Sequence, residues 1–236
     1  AATVGVKRMV VVSSNSPIGC NPTPTHRFDE ASPYNPYMGY GRSKMRMEQN
    51  LHAAMNLSGY PELVVVRPPW FYGPEQPARQ TLFFRMIKNG KFPLLGTGEN
   101  QRSLGYVDSL AYGILLAAST PHAAGQTYWL ADEVPYPMHT IISTVAQVLR
   151  EDFGLPVAAK TLHLPAMVGD VAQLIDGTLQ AVGLYHQKFH VLSEMNKTIA
   201  CSITKAKTDL GYTPLCTLRD GMRNSIDWCL KNGQTI

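Results

Sequence analysis

Tyr40 and Lys44 stand four residues apart in the stretch YGRSK, and this spacing places both side chains on one face of a helix. A phenol can give or take a proton at a substrate oxygen while hydride moves at the neighbouring carbon. An ammonium one turn away, together with the positive end of the helix, would lower the pKa of the phenol from its ordinary value of about 10. The pair therefore predicts acid–base chemistry at an alcohol or carbonyl carbon.

Ser14 is a third candidate for the same site, because it directly follows the apolar run MVVV and Ser13. Its hydroxyl could hydrogen-bond the substrate oxygen and orient it. Ligands of open α/β sheets collect at the carboxyl ends of the strands, where Ser14 would lie. A Tyr-x-x-x-Lys spacing also arises by chance, and the alternative is a half-exposed aromatic beside a solvated lysine. The surrounding strands are what favour the catalytic interpretation.

The elements around these residues alternate between strand and helix, which is typical of an α/β fold with a parallel sheet. We expect Met9–Val12 and Leu63–Val66 to be fully buried strands, with a helix over Tyr40–Leu57 between them. Ala1–Val4 reads as the last turn of an earlier helix, so we expect a chain that lacks its N-terminal portion. Further predicted elements are helices over 82–88, 108–118 (capped by Asp108), 138–150, 165–182 and 204–210, a final helix from Thr217 with Asp220 in a capping box, and a strand over 127–130.

Composition and charge narrow the class of protein. Hydrophobic residues make up 44% of the 236 positions, which supplies an ample core, and the net charge of +4 is too small and too scattered for a nucleic-acid surface. Every apolar run is far shorter than the roughly 20 residues needed to cross a bilayer. The four cysteines form no CxxC pair, as is typical of a reduced cytosolic protein. We expect a cytoplasmic protein with a small-molecule substrate and no nucleic-acid or membrane partner.

Five segments, in this order, resemble the extended short-chain dehydrogenase/reductase family, the NAD-dependent epimerase/dehydratase group. GVKRMVVVSSNSPIG resembles the family's strand and serine motif, in which the catalytic Ser or Thr stands five residues before a glycine, and counting back from Gly19 gives Ser14. YGRSK supplies Tyr40 and Lys44, and VVVRPPWFYGP is similar to the family's RPxxxYGP segment. GTGENQRSLGYVDSLAYGILLA resembles its glycine-rich turn, arginine and helix cap, and TKAKTDLGYTP resembles its C-terminal signature.

The resemblance implies an α/β fold: a Rossmann-like parallel sheet, incomplete at the N-terminus, with a smaller and mostly helical substrate lobe. It assigns residues 1–71 and 107–135 to the cofactor domain, and residues 72–106 and 136–236 to the substrate lobe. Homodimers are common in the family, so a homodimer is a fair expectation.

The resemblance also implies NAD or NADP as the cofactor and an oxidoreductase, epimerase or dehydratase reaction that begins by hydride exchange. Tyr40 would be the acid/base, Lys44 would tune it and bond the nicotinamide ribose, and Ser14 would orient the oxygen. Tyr40, Lys44 and Pro68 are the expected cofactor contacts, with Pro68 lying against the nicotinamide. The family's glycine-rich pyrophosphate turn is expected before residue 1. The alternative is a non-catalytic scaffold or binding module of the same fold that has lost cofactor binding.

Asn15, Trp70 and Arg102 are the expected substrate-binding residues. Arg102 matches a position that often contacts the diphosphate of a nucleotide sugar, and a structural ion pair is the alternative. Trp70 stands where such enzymes usually carry Asn, which favours a more apolar alcohol or ketone of the 3β-hydroxysteroid or dihydroflavonol type. Packing in the core is the alternative for Trp70. Both substrate classes therefore stay open.

Two other patterns carry weaker hypotheses. His186 and His190 have an i, i+4 spacing that could bind a metal, but no third ligand suggests itself, so we expect no metal. The glycines of GTGEN could cradle a phosphate, although the segment does not open a clear strand–helix unit. We therefore interpret GTGEN as a plain turn.

Overall fold

The computed structural model describes residues 4–55, 57, 59–181, 184 and 192–236. It divides into two compact units: unit 1 comprises Ala1–Phe71, Ser103–Pro135 and Ile199–Leu215, and unit 2 comprises Tyr72–Arg102, Tyr136–Thr198 and Cys216–Ile236.

The strands of the described residues are short, and most carry β-branched or aromatic residues. They are β1 (Arg8–Val12), β2 (Glu62–Arg67), β3 (Trp70–Tyr72), β4 (Pro93–Leu95), β5 (Gln101–Arg102), β6 (Leu104–Tyr106), β7 (Thr127–Trp129), β8 (Tyr136–Pro137) and β9 (Leu162–Leu164). The helices are α1 (Met38–Ala54), α2 (Ala78–Lys88), α3 (Val107–Ser119), α4 (Met138–Glu151), α5 (Met167–Ala181), α6 (Thr204–Leu210) and α7 (Leu218–Lys231). A 3₁₀ turn covers Pro121–Ala123.

Unit 1 is built on a parallel sheet in which β2 lies between β1 and β7. Val10 pairs with Val64 across the first ladder, and Arg67 pairs with Trp129 across the second. The central strand β2 is buried from Leu63 onwards. Parallel strands need crossover connections, and α1 supplies the connection between β1 and β2. The predicted α/β class with a parallel sheet is confirmed.

Three sequence predictions need correction in unit 1. β1 is only partly buried, because it forms the edge of the described sheet, and Val12 is 45% exposed. Asp108 does not cap α3: the helix already begins at Val107, since β6 runs straight into it, and Asp108 lies exposed in the first turn. α1 begins at Met38, two residues before the predicted start.

Residues 199–215 belong to unit 1, although the family resemblance assigned them to the substrate lobe. Two contacts explain the difference. Phe28 and Cys201 form an isolated parallel bridge, and the Asn21 amide group donates to the carbonyl of Ala200 and accepts from its N–H. Helix α6 then packs on α3 and β7. Residues 103–106 also join unit 1, ahead of the predicted boundary at 107.

Unit 2 is mainly helical, with α4 packed against both α2 and α7. Helix α4 buries apolar residues on one stripe, including Ile141, Val145 and Leu149, which recur every four residues. β4 pairs in parallel with β9, and β5 pairs antiparallel with β8. At the start of α7 the Thr217 hydroxyl accepts a hydrogen bond from the Asp220 N–H at 3.2 Å, which confirms the predicted cap.

Candidate active site

The turn after β1 that contains Ser13, Ser14 and Ser16, here called the serine turn, is the first part of the site. The Ser13 N–H donates to Val66 at 2.8 Å, which carries the strand pairing one residue beyond β1. Ser14 then leaves the sheet: its hydroxyl accepts from the Ser16 N–H and donates to the Ser16 hydroxyl, both at 3.0 Å. Hydroxyl-to-backbone bonds of this kind stabilise turns. The Ser14 side chain is therefore held, half-buried, at the carboxyl end of β1.

The first turn of α1 lies directly against this serine turn. The Tyr37 N–H donates to the Ser16 carbonyl at 3.0 Å, immediately before the helix begins. A Cβ added at Gly41 would lie 2.5 Å from the same carbonyl oxygen, so only glycine permits the observed approach. These two contacts hold the start of α1 against Ser16, which lies two residues after Ser14.

Lys44 ties the second turn of α1 to the other side of Ser14. Its Nζ donates to the carbonyl of Val12, the last residue of β1, at 3.2 Å. The same Nζ lies 5.9 Å from the centre of the Tyr40 ring, and Tyr40 is 56% exposed. The contacts thus bring the helix that carries Tyr40 and Lys44 to the end of β1, on both sides of Ser14.

Asn15 and Pro68 also follow strand ends of unit 1. The Asn15 carbonyl accepts from the N–H groups of Ile18 and Gly19, at 3.0 and 3.1 Å, which closes the turn after Ser14. Pro68 comes directly after β2 and is half-buried. Nearby in unit 1 a narrow gap, too small to hold a water molecule, is lined by Asn15, Phe28, Pro69, Ser103, Trp129, Ile199, Ala200 and Cys201.

The other two expected substrate residues have different settings. Trp70 begins β3 and is half-buried, a position consistent with either of its two interpretations. Arg102 belongs to unit 2, where its Nη1 donates to the Glu194 carbonyl at 3.3 Å and its Nη2 lies 3.9 Å from the Glu194 carboxylate. The guanidinium is therefore engaged within unit 2, as the ion-pair alternative expects.

Glu48, Arg67 and Tyr34 form a buried polar cluster that sequence reasoning missed. The Glu48 carboxylate accepts from Arg67 Nη2 at 2.6 Å, from Arg67 Nε at 3.1 and 3.2 Å, and from the Tyr34 hydroxyl at 2.9 Å. Burial and the Glu48 carboxylate raise the pKa of Tyr34 to about 12, so Tyr34 keeps its proton and remains a donor. One signal was available: Glu48 lies four residues after Lys44, and Arg67 directly follows the apolar run Leu63–Val66.

The segment GTGEN (residues 96–100) forms a turn between β4 and β5, as its interpretation expects. The Gly96 N–H donates to the Leu164 carbonyl at 2.9 Å, and the Gly98 carbonyl accepts from the His139 N–H at 3.1 Å. Both hydrogen bonds of the turn therefore lie within unit 2.

The metal hypothesis for His186 and His190 lies outside the described residues. Among the residues that are described, no three or more His, Cys, Asp or Glu side chains group in a way that could hold a metal ion. None of the helices in the described ranges is both long enough and apolar enough to span a membrane.

Comparison with known proteins identifies the family. A family model described as the NAD dependent epimerase/dehydratase family matches residues 1–131, more than half of the chain. Uncharacterized protein y4nL of Sinorhizobium fredii is 60% identical over the whole chain, which covers 66% of that protein. The N-acetyl-alpha-D-glucosaminyl-diphospho-ditrans,octacis-undecaprenol 4-epimerase of Escherichia coli O157:H7 is 26% identical over 95% of the chain and 66% of its own length.

A solved structure shows the same fold. The UDP-glucuronic acid 4-epimerase from Bacillus cereus, in complex with NAD, superposes with a TM-score of 0.71 at 20% identity, over 98% of this chain and 64% of that one. This confirms the expected Rossmann-like fold. The chain spans less than two thirds of the length of these relatives. On the family model and the fold together, the chain belongs to the NAD-dependent epimerase/dehydratase family.

Proposed function

We propose that the protein is an oxidoreductase, epimerase or dehydratase that exchanges hydride with NAD or NADP at a substrate hydroxyl or keto carbon. One observation carries the proposal: Lys44 joins the helix of Tyr40 to the end of β1, where the Ser14 turn begins. This arrangement supplies a proton donor or acceptor, a cation and an orienting hydroxyl near one strand end.

Each of the three residues has a role that its setting supports. Tyr40 is exposed enough to meet a substrate oxygen and would take the proton of an alcohol or return it to a ketone. Lys44 would stabilise the phenolate through its charge, because its ammonium faces the Tyr40 ring. Ser14 would donate to the same substrate oxygen and hold it in place. The bound nicotinamide would accept or return the hydride.

The residues at this end of the sheet fit the nicotinamide half of the cofactor. An ammonium has three donors, and the hydrogen bond to Val12 uses one, so Lys44 can also bond ribose hydroxyls. Tyr40 and Pro68 would complete the cofactor contacts, with Pro68 against the nicotinamide ring. Within the described residues the GTGEN turn is committed to unit 2, and we assign it no phosphate contact.

Two substrate classes are proposed. A sugar carried on a diphosphate is the first, because the Escherichia coli relative is by name an epimerase of such a substrate. Arg102 would then contact the diphosphate by exchanging its long contact with Glu194 for a shorter one. A more apolar alcohol or ketone is the second, favoured by Trp70, and Asn15 would contact either substrate near Ser14.

Replacing Tyr40 by Phe in the complete protein tests the proposal. Positioned acid–base groups contribute about 10²–10⁴-fold, so Tyr40→Phe should lower kcat at least about 100-fold while the circular dichroism spectrum stays unchanged. UDP-glucose and UDP-N-acetylglucosamine with NAD would be assayed by NMR of the products. A 3β-hydroxysteroid with NAD or NADP would be assayed by absorbance of the reduced cofactor.

Tyr60→Phe is the matched control, because Tyr60 belongs to the same unit and is 57% exposed, nearly the same as Tyr40. It should retain the wild-type rate. Equal turnover by the wild type and Tyr40→Phe would refute the assignment. Failure of the complete protein to bind NADH or NADPH in a fluorescence titration would favour the cofactor-free scaffold instead.

A further inference from the structure

Glu48 extends the face of α1 that carries the proposed acid/base pair. Tyr40, Lys44 and Glu48 follow one another at intervals of four residues, so they lie on one side of the helix. Their exposure falls steadily along this side, from the exposed Tyr40 through the half-buried Lys44 to Glu48, which is completely buried. The buried end of this face is where the helix is anchored.

The anchor is a forked ion pair with the end of the central strand. Both Nε and Nη2 of Arg67 donate to the Glu48 carboxylate, a geometry that constrains direction as well as distance. Arg67 itself is fixed, because it is the last residue of β2 and its guanidinium lies 5.7 Å from the ring centres of both Tyr34 and Trp129. The Tyr34 hydroxyl adds a third donor to the same carboxylate.

Such a pair is a costly way to gain stability alone. Burying both charges loses hydration, and well-packed apolar residues of similar volume often stabilise a core as well or better. An ion pair also defines how one element is rotated, and where it lies along its axis, relative to another element. Here the two elements are α1, which carries Tyr40 and Lys44, and β2, which leads into Pro68.

We infer that Glu48 is a positioning residue for the proposed reaction: through Arg67 and Tyr34 it sets how α1 sits on the sheet, and thereby where Tyr40 and Lys44 lie. The inference rests on the proposed function for its catalytic consequence. A misplacement of about 1 Å can cost about 100-fold in rate, so a modest shift of α1 would matter.

Glu48→Gln and Tyr34→Phe test the inference by two readouts. Glu48→Gln removes the charge at nearly constant volume, and Tyr34→Phe removes one donor and leaves the ion pair intact. In the complete protein, amide hydrogen exchange over residues 38–45 should become at least about 10-fold faster in Glu48→Gln, and less so in Tyr34→Phe, because α1 loses its anchor. With the substrates used for Tyr40, kcat should fall about 100-fold and about 10-fold, with KM changed less than about 3-fold.

Tyr212→Phe is the matched control. Tyr212 is fully buried in unit 1 and donates to the Ala131 carbonyl at 3.0 Å. Losing that bond should lower the melting temperature without changing exchange over residues 38–45 or kcat. Unchanged exchange over residues 38–45 in both test variants would overturn the inference. A wild-type kcat in both test variants, with Tyr40→Phe inactive, would also overturn the inference. An active Tyr40→Phe would instead refute the proposed function, and the inference would fall with it.

Discussion

Gly41 is the residue at which the serine turn and the first turn of α1 approach each other most restrictively. A methyl group there would meet the Ser16 oxygen at 2.5 Å and a backbone carbon of Pro36 at 3.2 Å, and neither backbone atom can rotate away. The glycine beside Tyr40 therefore serves close packing within unit 1.

Gly41→Ala should destabilise the protein by about 1–3 kcal/mol through overpacking, even though alanine is the better helix former by about 1 kcal/mol. Urea denaturation would measure the change. Gly177→Ala in α5 is the control, because a Cβ there meets nothing within 4 Å and the substitution should be neutral or stabilising. If Gly41→Ala were as stable as Gly177→Ala, the serine turn would have to shift at little cost to accommodate the added methyl group.

At this scale the sequence predicts chemistry better than it predicts anchoring. Ser14, Tyr40 and Lys44 could be proposed because their types and spacing suit one reaction. Glu48 and Arg67 could not be paired, because 19 residues separate them and charged side chains are expected at the surface. The partner of a buried charge is decided by which strand end faces which helix turn, and that information is tertiary. The roles of all these residues stay predictions.

At the scale of the elements, the start of α1 has an unusual backbone conformation. Met38, its first residue, has a φ of +54°, in the left-handed region that favours glycine. For an L-residue this conformation costs about 1–2 kcal/mol. It lets the chain turn sharply from Tyr37 into the helix, two residues before Tyr40.

Met38→Gly should therefore be about 1 kcal/mol more stable than Met38→Ala. Both variants lose the methionine side chain, and only glycine relieves the backbone, so the difference isolates the conformational cost. Thermal unfolding of the two variants followed by circular dichroism would measure it. Equal melting temperatures would mean that the turn into α1 relaxes in the alanine variant.

Among the elements, strong periodic or β-branched patterns were predicted well. The helix over 204–210 has its predicted bounds, and α4 extends only one residue beyond its predicted end. β1 was placed correctly but given too much burial, because a run of valines records a preference for burial and not the neighbours that provide it. The two-residue strands β5 and β8 left no pattern in the sequence, since they are too short to show one.

For the whole molecule, the order of the segments could be predicted from the sequence, but the unit to which each segment belongs could not always be predicted. The bridge between Phe28 and Cys201 recruits residues 199–215 to unit 1 from the far end of the chain. Such pairings join residues more than 170 positions apart, and no local pattern announces them. The family model, which covers residues 1–131, rests on the part of the chain that contains most of unit 1.

The outer side of β1 has a consequence for self-association in solution. Within the described part of the chain β1 pairs with β2 alone, and Val6 and Val12 leave apolar surface beside it. A strand of this kind is a template for another strand, so a polypeptide of these 236 residues alone should associate increasingly as its concentration rises, which light scattering would measure. Val6→Lys should suppress this growth, whereas Leu115→Lys, which adds the same charge to an exposed position of α3, should not. Monodisperse wild-type solutions up to millimolar concentration would mean that this strand is shielded from its own copies.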